Sequence, residues 1–218
     1  MKIIIIGQGG HSKVIKDMIL EKDEFEIVGY LDDVYKELVF NEDFFYGPIS
    51  SLQEVILYYG AVKIVIAIGD NKVRKMIAER LDLPLAHYAT LIHKLAVISP
   101  SAELGCGTVV MSNAVVNADT KIGDHTIINT SAVIEHDNSV GSFVHISPNA
   151  TLTGSVKVEE GVHVGAGAII IPNIKIGAGS IIGAGATVIK DVPPCCTAVG
   201  VPAKYKMREG DTIVENNI

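Results

Sequence analysis

Residues 122–140 read IGDHTIINTSAVIEHDNSV, and within them Ile122, Ile128, Ile134 and Val140 stand six apart. The spacing runs on in both directions without an exception. Ile98, Leu104, Val110 and Val116 precede it, and Ile146, Leu152, Val158, Val164, Ile170, Ile176, Ile182 and Val188 follow it. Ile, Leu and Val make up about a third of the chain, so this run in one register would arise by chance on the order of once in 10⁸ trials. A period of six fits neither the 3.6 of an α-helix nor the alternation of a strand. It predicts a left-handed parallel β-helix, in which three short strands make one triangular coil of about 18 residues and each hexad sends one aliphatic side chain into a stacked core. Two residues before each inward aliphatic the side chain is usually small, as at Ala96, Ala102, Thr108, Ala114, Thr120, Thr126, Ala132 and Ala150, which suits a tight corner. The residue after it is often glycine (Gly105, Gly123, Gly141, Gly165, Gly177, Gly183) or asparagine (Asn117, Asn129), types that tolerate the backbone angles of a turn.

The repeat begins only near residue 95 of 218, so two domains are expected, with boundaries at 1–85 and 95–206 and a tail over 207–218. A net charge of −7 with no basic stripe argues against nucleic acid as a partner. The apolar run at Ile3–Ile6 is too short for a signal peptide and no segment is long enough to insert in a membrane, so a cytoplasmic location is expected. Cys106, Cys195 and Cys196 are odd in number, two of them adjacent, and read as reduced thiols without zinc-ligand spacing.

The first half reads as a small Rossmann-like α/β unit. Lys2 to Ile6 is a strand, Gly7-Gln8-Gly9-Gly10-His11-Ser12 a turn, and Lys13 to Leu20 a helix. A second strand runs from Phe25 to Leu31 and ends in Asp32-Asp33; a third, Lys63 to Ile68, is closed by Gly69-Asp70-Asn71 and followed by a helix from Lys72 to Leu81. Alternating strands and helices imply a parallel sheet with its ligand site beyond the strand C-terminal ends. The first turn keeps two glycines of a dinucleotide fingerprint but carries Ser12 at the third, which makes an NAD oxidoreductase a weak reading. A helix N-terminus there still offers N–H groups to any phosphate.

Four histidines lie in the repeat. His125 and His163 sit at corner-like positions and read as exposed or packing residues. His136 is flanked by Glu135 and Asp137, and a nearby carboxylate can hold an imidazole in one tautomer and keep it basic. Spacing alone leaves it open between a general base and an ordinary corner residue.

The Gly7–Ser12 turn, Leu31-Asp32-Asp33, Ala67-Ile68-Gly69-Asp70-Asn71, Leu91-Ile92-His93-Lys94, Ile98-Ser99-Pro100, Ile134-Glu135-His136-Asp137 and Val199-Gly200-Val201-Pro202-Ala203-Lys204 occur in one order. In that ordered set the chain, from residue 1 to about 206, resembles the sugar acetyltransferases of the NeuD/PglD type. The resemblance implies a nucleotide-sugar-binding domain joined to a left-handed β-helix. It also implies a homotrimer with acetyl-CoA and the active sites between subunits, and no metal. It assigns His136 as the general base that deprotonates the acceptor, with Asp137 orienting it; some relatives carry Glu at that place. It puts His145 near the acetyl group and the Gly154 N–H on the thioester carbonyl, where a preorganised donor would stabilise the developing oxyanion. Gly165, Ala166 and Gly183 would let the pantetheine lie along the coil, Lys204 would meet a CoA phosphate, and Gly9, His11, Asp32 and Asp33 would cradle the nucleotide sugar.

The acceptor implied is a UDP-linked 4-amino-4,6-dideoxy-N-acetylhexosamine, acetylated on nitrogen by direct transfer without a covalent enzyme intermediate. Its rival within the class is O-acetylation of a sugar hydroxyl, as in sialic acid. Two readings from other classes are a metal lyase of the γ-carbonic anhydrase kind, built on the same β-helix with three histidines, and a non-catalytic nucleotide-sugar sensor.

Overall fold

The computed structural model describes residues 1–21, 23–42 and 44–207; beyond Met207 the expected tail lies outside the described residues. The described residues divide into two compact units, one within 1–91 together with 106–108, the other within 92–105 together with 109–207.

The first unit is a five-stranded sheet flanked by helices. Its elements are β1 (Lys2–Ile6), α1 (Gly10–Leu20), β2 (Glu26–Leu31), β3 (Val39–Asn41), β4 (Phe44–Gly47), α2 (Leu52–Tyr59), β5 (Val62–Ile66) and α3 (Asn71–Leu81). The sheet order is β3-β4-β2-β1-β5, parallel except for the edge strand β3. Strand β1 lies inside the sheet between β2 and β5, and its run of four isoleucines, Ile3 to Ile6, is buried on both faces, as a strand covered by helices on either side requires. Helix α1 begins three residues earlier than its spacing predicts, because Gly9 stands at its N-cap in extended backbone and the helix opens directly from the turn. Helix α3 is capped by Asp70, whose carboxylate accepts from the Val73 N–H at 2.9 Å. The β3–β4 ribbon and α2 have no counterpart in the sequence reading. The ribbon is an aromatic edge in which Phe45 packs on Phe40 and Tyr59, and Tyr46 stacks on Tyr30.

In the second unit the hexads form the expected coil. Two-residue strands pair in parallel with those 18 residues away, as Val133–Ile134 does with Val115–Val116 and Thr151–Leu152; they build sheets of six and five strands and six strands of a third, which the longer Cys196–Val199 and the antiparallel Lys204–Met207 extend to eight. From Val110 to Val188 every inward aliphatic is buried; Ile98 and Leu104, at the start of the stack, are half-buried against the same core. The residues two positions earlier also point inward: Thr108, Ala114, Thr120, Thr126, Ala132 and Ala150 are all fully buried.

The corner glycines serve a different purpose from the one the spacing predicts. Left-handed backbone recurs three residues after the inward aliphatic, both on residues with side chains such as Asn113, Asp119, His125, Ser131 and Asp137 and on Gly107, Gly161, Gly167, Gly179 and Gly185, and not at the glycines directly after the aliphatic. Those glycines are required by contact. A Cβ on Gly123 would lie 2.5 Å from the Ser142 nitrogen, and one on Gly165 2.6 Å from the Ala184 nitrogen, so the coils stack too closely there for any side chain.

The outer faces differ in character. The five-stranded sheet presents Glu103, Lys121, Ser139, Lys157 and Lys175, with Lys121 paired to Glu103 at 3.2 Å. The six-stranded sheet presents Val97, Val115, Val133, Thr151, Ile169 and Thr187, with Val97 61% and Ile169 44% exposed. No helix among the described residues is long and apolar enough to cross a membrane.

Candidate active site

His136 stands at a corner of the coil. The strand Val133–Ile134 ends, residues 135–138 turn, and Ser139–Val140 begins the next face, with Asp137 in left-handed backbone (φ 58°) at the bend. The turn is anchored on its inner side. The Thr120 hydroxyl donates to the Glu135 carbonyl at 2.8 Å, and the Glu135 carboxylate accepts from the Asn117 amide at 2.9 Å. His136 itself is exposed, with its Nδ1 2.7 Å from an Asp137 carboxylate oxygen. An oxygen that only accepts fixes the proton on Nδ1, so the lone pair is left on Nε2. The hydrogen bond to Asp137 raises the imidazole's pKa above the ordinary histidine value, and the charges of Asp137 and Glu135 add to it against a smaller desolvation effect.

Eighteen residues on, the turn over 153–156 stacks on this one and brings Gly154 against the ring. A Cβ on Gly154 would lie 2.7 Å from His136 Cε1 and 2.8 Å from Nε2, so only glycine leaves the imidazole in place. His136, Asp137 and Gly154 are thus gathered at one corner. The group can take a proton at Nε2 beside a backbone amide.

His145 is held elsewhere in the coil. It is buried in the strand His145–Ile146 of the eight-stranded sheet, with Nε2 3.0 Å from the Asn129 side-chain nitrogen and its ring 4.9 Å from that of His163. His163 Nε2 lies 3.0 Å from the Ser147 hydroxyl, and His125 is buried in a stack on Phe143. Gly165 abuts the backbone of the next coil as described, and a Cβ on Gly183 would meet the exposed Val199 side chain at 2.7 Å. Ala166 is exposed at the corner after Gly165. Lys204, on the closing strand Lys204–Met207, lines a cavity of about 370 Å³ with Lys190, Pro202 and Tyr205. No cluster of three metal-ligating side chains occurs among the described residues.

In the first unit the turns after β1, β2 and β5 lie at one end of the sheet. Gly7 takes φ 99° and donates to the Leu31 carbonyl at 2.8 Å, and the Ser12 hydroxyl donates to the Gly9 carbonyl at 2.7 Å. Asp32 braces two turns: one carboxylate oxygen accepts from the Gln8 N–H at 2.7 Å, the other from the Val34 N–H at 3.1 Å. The Tyr35 hydroxyl donates to the Gln8 side chain. Asp33 pairs with Arg80 at 2.7 Å, which holds its carboxyl below the usual carboxylate range. His11 is pushed down to about 4, chiefly by burial and further by the charge of Arg74, and is therefore neutral near pH 7. Arg74 is buried and donates to the Ile68 carbonyl at 2.9 Å and to the Asn71 side-chain oxygen at 2.7 Å. Arg74, Arg80 and Gln8 take part in this cluster without having been singled out from sequence. Their signal would have been position alone, since each lies within a turn or helix bordering a strand's C-terminal end.

Residues 2–81 match the PglD N-terminal domain, and residues 101–136 and 155–190 match the bacterial transferase hexapeptide repeat. A mutant of perosamine N-acetyltransferase from Caulobacter crescentus, in complex with CoA and GDP-perosamine, is 36% identical with a TM-score of 0.85, the match covering 95% of this chain and 98% of that one. The chain belongs to the PglD-type sugar acetyltransferases. The acetyltransferase domain of PglB from Neisseria gonorrhoeae, in complex with acetyl coenzyme A, is 37% identical with a TM-score of 0.81 over 94% of this chain and 98% of that one. The UDP-N-acetylbacillosamine N-acetyltransferase of Bacillus subtilis (strain 168) is 46% identical over 110 residues, which is 50% of this chain and about half, 51%, of that enzyme. Membership in this family makes the coil a left-handed β-helix and sets aside the oxidoreductase and metal-lyase readings.

Proposed function

We propose that the chain transfers the acetyl group of acetyl-CoA to the amino group of a nucleotide-linked amino sugar, with His136 as the general base. One observation carries this reading: an imidazole whose Nδ1 is held by Asp137 turns its basic Nε2 toward Gly154. The amine nitrogen attacks the thioester carbonyl carbon and its proton passes to His136 Nε2. The C–N bond forms, the C–S bond breaks, and CoA leaves as a thiolate that the same proton can neutralise. A base so placed contributes roughly 10²- to 10⁴-fold. The Gly154 N–H is the donor for the carbonyl oxygen as it becomes an oxyanion, and His145 lies near the acetyl group.

The nucleotide sits at the turns of the first unit, residues 1–85, against Gly9 and the neutral His11. Asp32 and Asp33 act chiefly by fixing those turns, since their oxygens already accept from Gln8, Val34, Ile49 and Arg80. Transfer belongs to residues 95–206, where Ala166 borders the pantetheine and Lys204 meets a CoA phosphate. The apolar outer face of the six-stranded sheet supports a trimer with the active site between subunits, because such a surface is costly to leave in water.

The test is CoA thiol release from acetyl-CoA by the wild type and by His136→Ala. GDP-perosamine, UDP-4-amino-4,6-dideoxy-N-acetylhexosamine and sialic acid are offered separately, and the mass is read by light scattering. Release with an amino sugar, lost in the variant, at trimer mass, is the expected result. Release with sialic acid alone would move the reaction to oxygen, and undiminished release by His136→Ala would remove His136 from the base role.

A further inference from the structure

The base turn is tied to the Gly154 turn by one buried side chain. Asn138 is 1% exposed and makes four hydrogen bonds. Its amide donates to the Glu135 carbonyl at 2.6 Å, to the His136 carbonyl at 3.3 Å and, across the coil, to the Thr153 carbonyl at 2.9 Å. Its oxygen accepts from the Val156 N–H at 3.1 Å. Thr153 and Val156 are the two ends of the turn that carries Gly154. We infer that Asn138 is a positioning residue that locks the His136 turn onto the Gly154 turn and so sets where the imidazole stands against the backbone amide.

The position has a structural precedent in the same chain. Thr126, at the corresponding place one hexad pair earlier, donates to the Gly141 carbonyl at 2.9 Å and accepts from the Val144 N–H at 3.2 Å. The cross-coil pair is thus a device a threonine can supply. Val144, Val156 and Val162 carry wholly apolar side chains at equivalent places and are buried in the same core. A valine at 138 therefore fits the coil's shape, and what it removes is the hydrogen bonding. The contact that depends on it is tight, since Gly154 lies within what a Cβ would fill against His136. An error on the order of 1 Å in such a contact can cost about 10²-fold in rate.

The inference rests on the base role of His136 for its catalytic consequence but has a readout of its own. In the full chain, long-range ¹H–¹⁵N spectra of the His136 imidazole, with melting temperatures, are compared for wild type, Asn138→Thr and Asn138→Val. The wild type and Asn138→Thr should show a single tautomer protonated at Nδ1, and Asn138→Val a mixture of tautomers. In the thiol-release assay with GDP-perosamine and the UDP-linked amino sugar, kcat should stay within about 3-fold for Thr and fall about 10- to 100-fold for Val, with KM values unchanged. A wild-type tautomer signature in Asn138→Val overturns the inference, as does equal loss of it in Thr and Val. If the spectra respond as expected while His136→Ala remains fully active, the base role fails and the positioning role stands.

Discussion

His136 depends on the carboxylate beside it. Its pKa is raised mainly by the hydrogen bond to Asp137, so the basic form is lost as pH falls through that raised value. In Asp137→Asn the imidazole returns toward its ordinary value, and the acidic limb of the kcat/KM profile should move to lower pH. At neutral pH kcat should drop about 10-fold, because the tautomer is no longer fixed. Gly154→Ala makes a sharper cut. Its new Cβ would occupy the space 2.7 Å from His136 Cε1, so kcat should fall on the order of 10²-fold while thermal stability changes little, the ring being exposed and free to swing outward. Both residues of this pair came from family resemblance or local context. The contact between them is a property of the stacking, which joins positions 18 apart.

At the scale of the coil turn, the two roles open to a small residue separate cleanly. Glycines directly after the inward aliphatic are demanded by the neighbouring coil, whereas left-handed backbone falls two residues later, on glycines such as Gly161 and equally on side-chain-bearing residues such as Ser131 (φ 57°). Gly123→Ala should therefore destabilise the protein by about 1–3 kcal/mol through overpacking. Ser131→Gly should be neutral or stabilise it by about 1 kcal/mol, since glycine adopts that backbone without the Cβ clash. Urea midpoints of the two variants check both signs. The sequence pattern misplaces the left-handed residue because glycine's two virtues, positive φ and small size, look the same in a list of residue types. The β3–β4 ribbon and α2 escape notice for a related reason: short edge elements rich in aromatic residues have too few positions to show a period.

For the molecule as a whole, the buried charge chemistry of the first unit couples folding to pH. His11, lowered to about 4 in the folded protein, resists protonation there while the unfolded chain protonates near 6.5. Its contribution to stability is complete above about pH 6.5 and is lost as pH falls toward about 4, amounting to on the order of 3 kcal/mol. Denaturant midpoints between pH 7 and 4 should fall less steeply for His11→Gln than for the wild type, and parallel slopes would show that His11 is accessible to protons when folded. By itself the sequence determined the β-helix, its register of inward residues and the presence of an α/β unit before it. A six-residue period repeated over ninety residues admits one arrangement of strands, and burial of the aliphatic face enforces it. The tertiary structure decided which side chains meet. The approach of Gly154 to His136, the bracket of Asn138 across two turns, and the claim of Asp32 on the Gln8 backbone arise between residues 15 to 24 apart. Such contacts are fixed by the rise of the coil and the pairing of strands, and no local spacing of residue types encodes them.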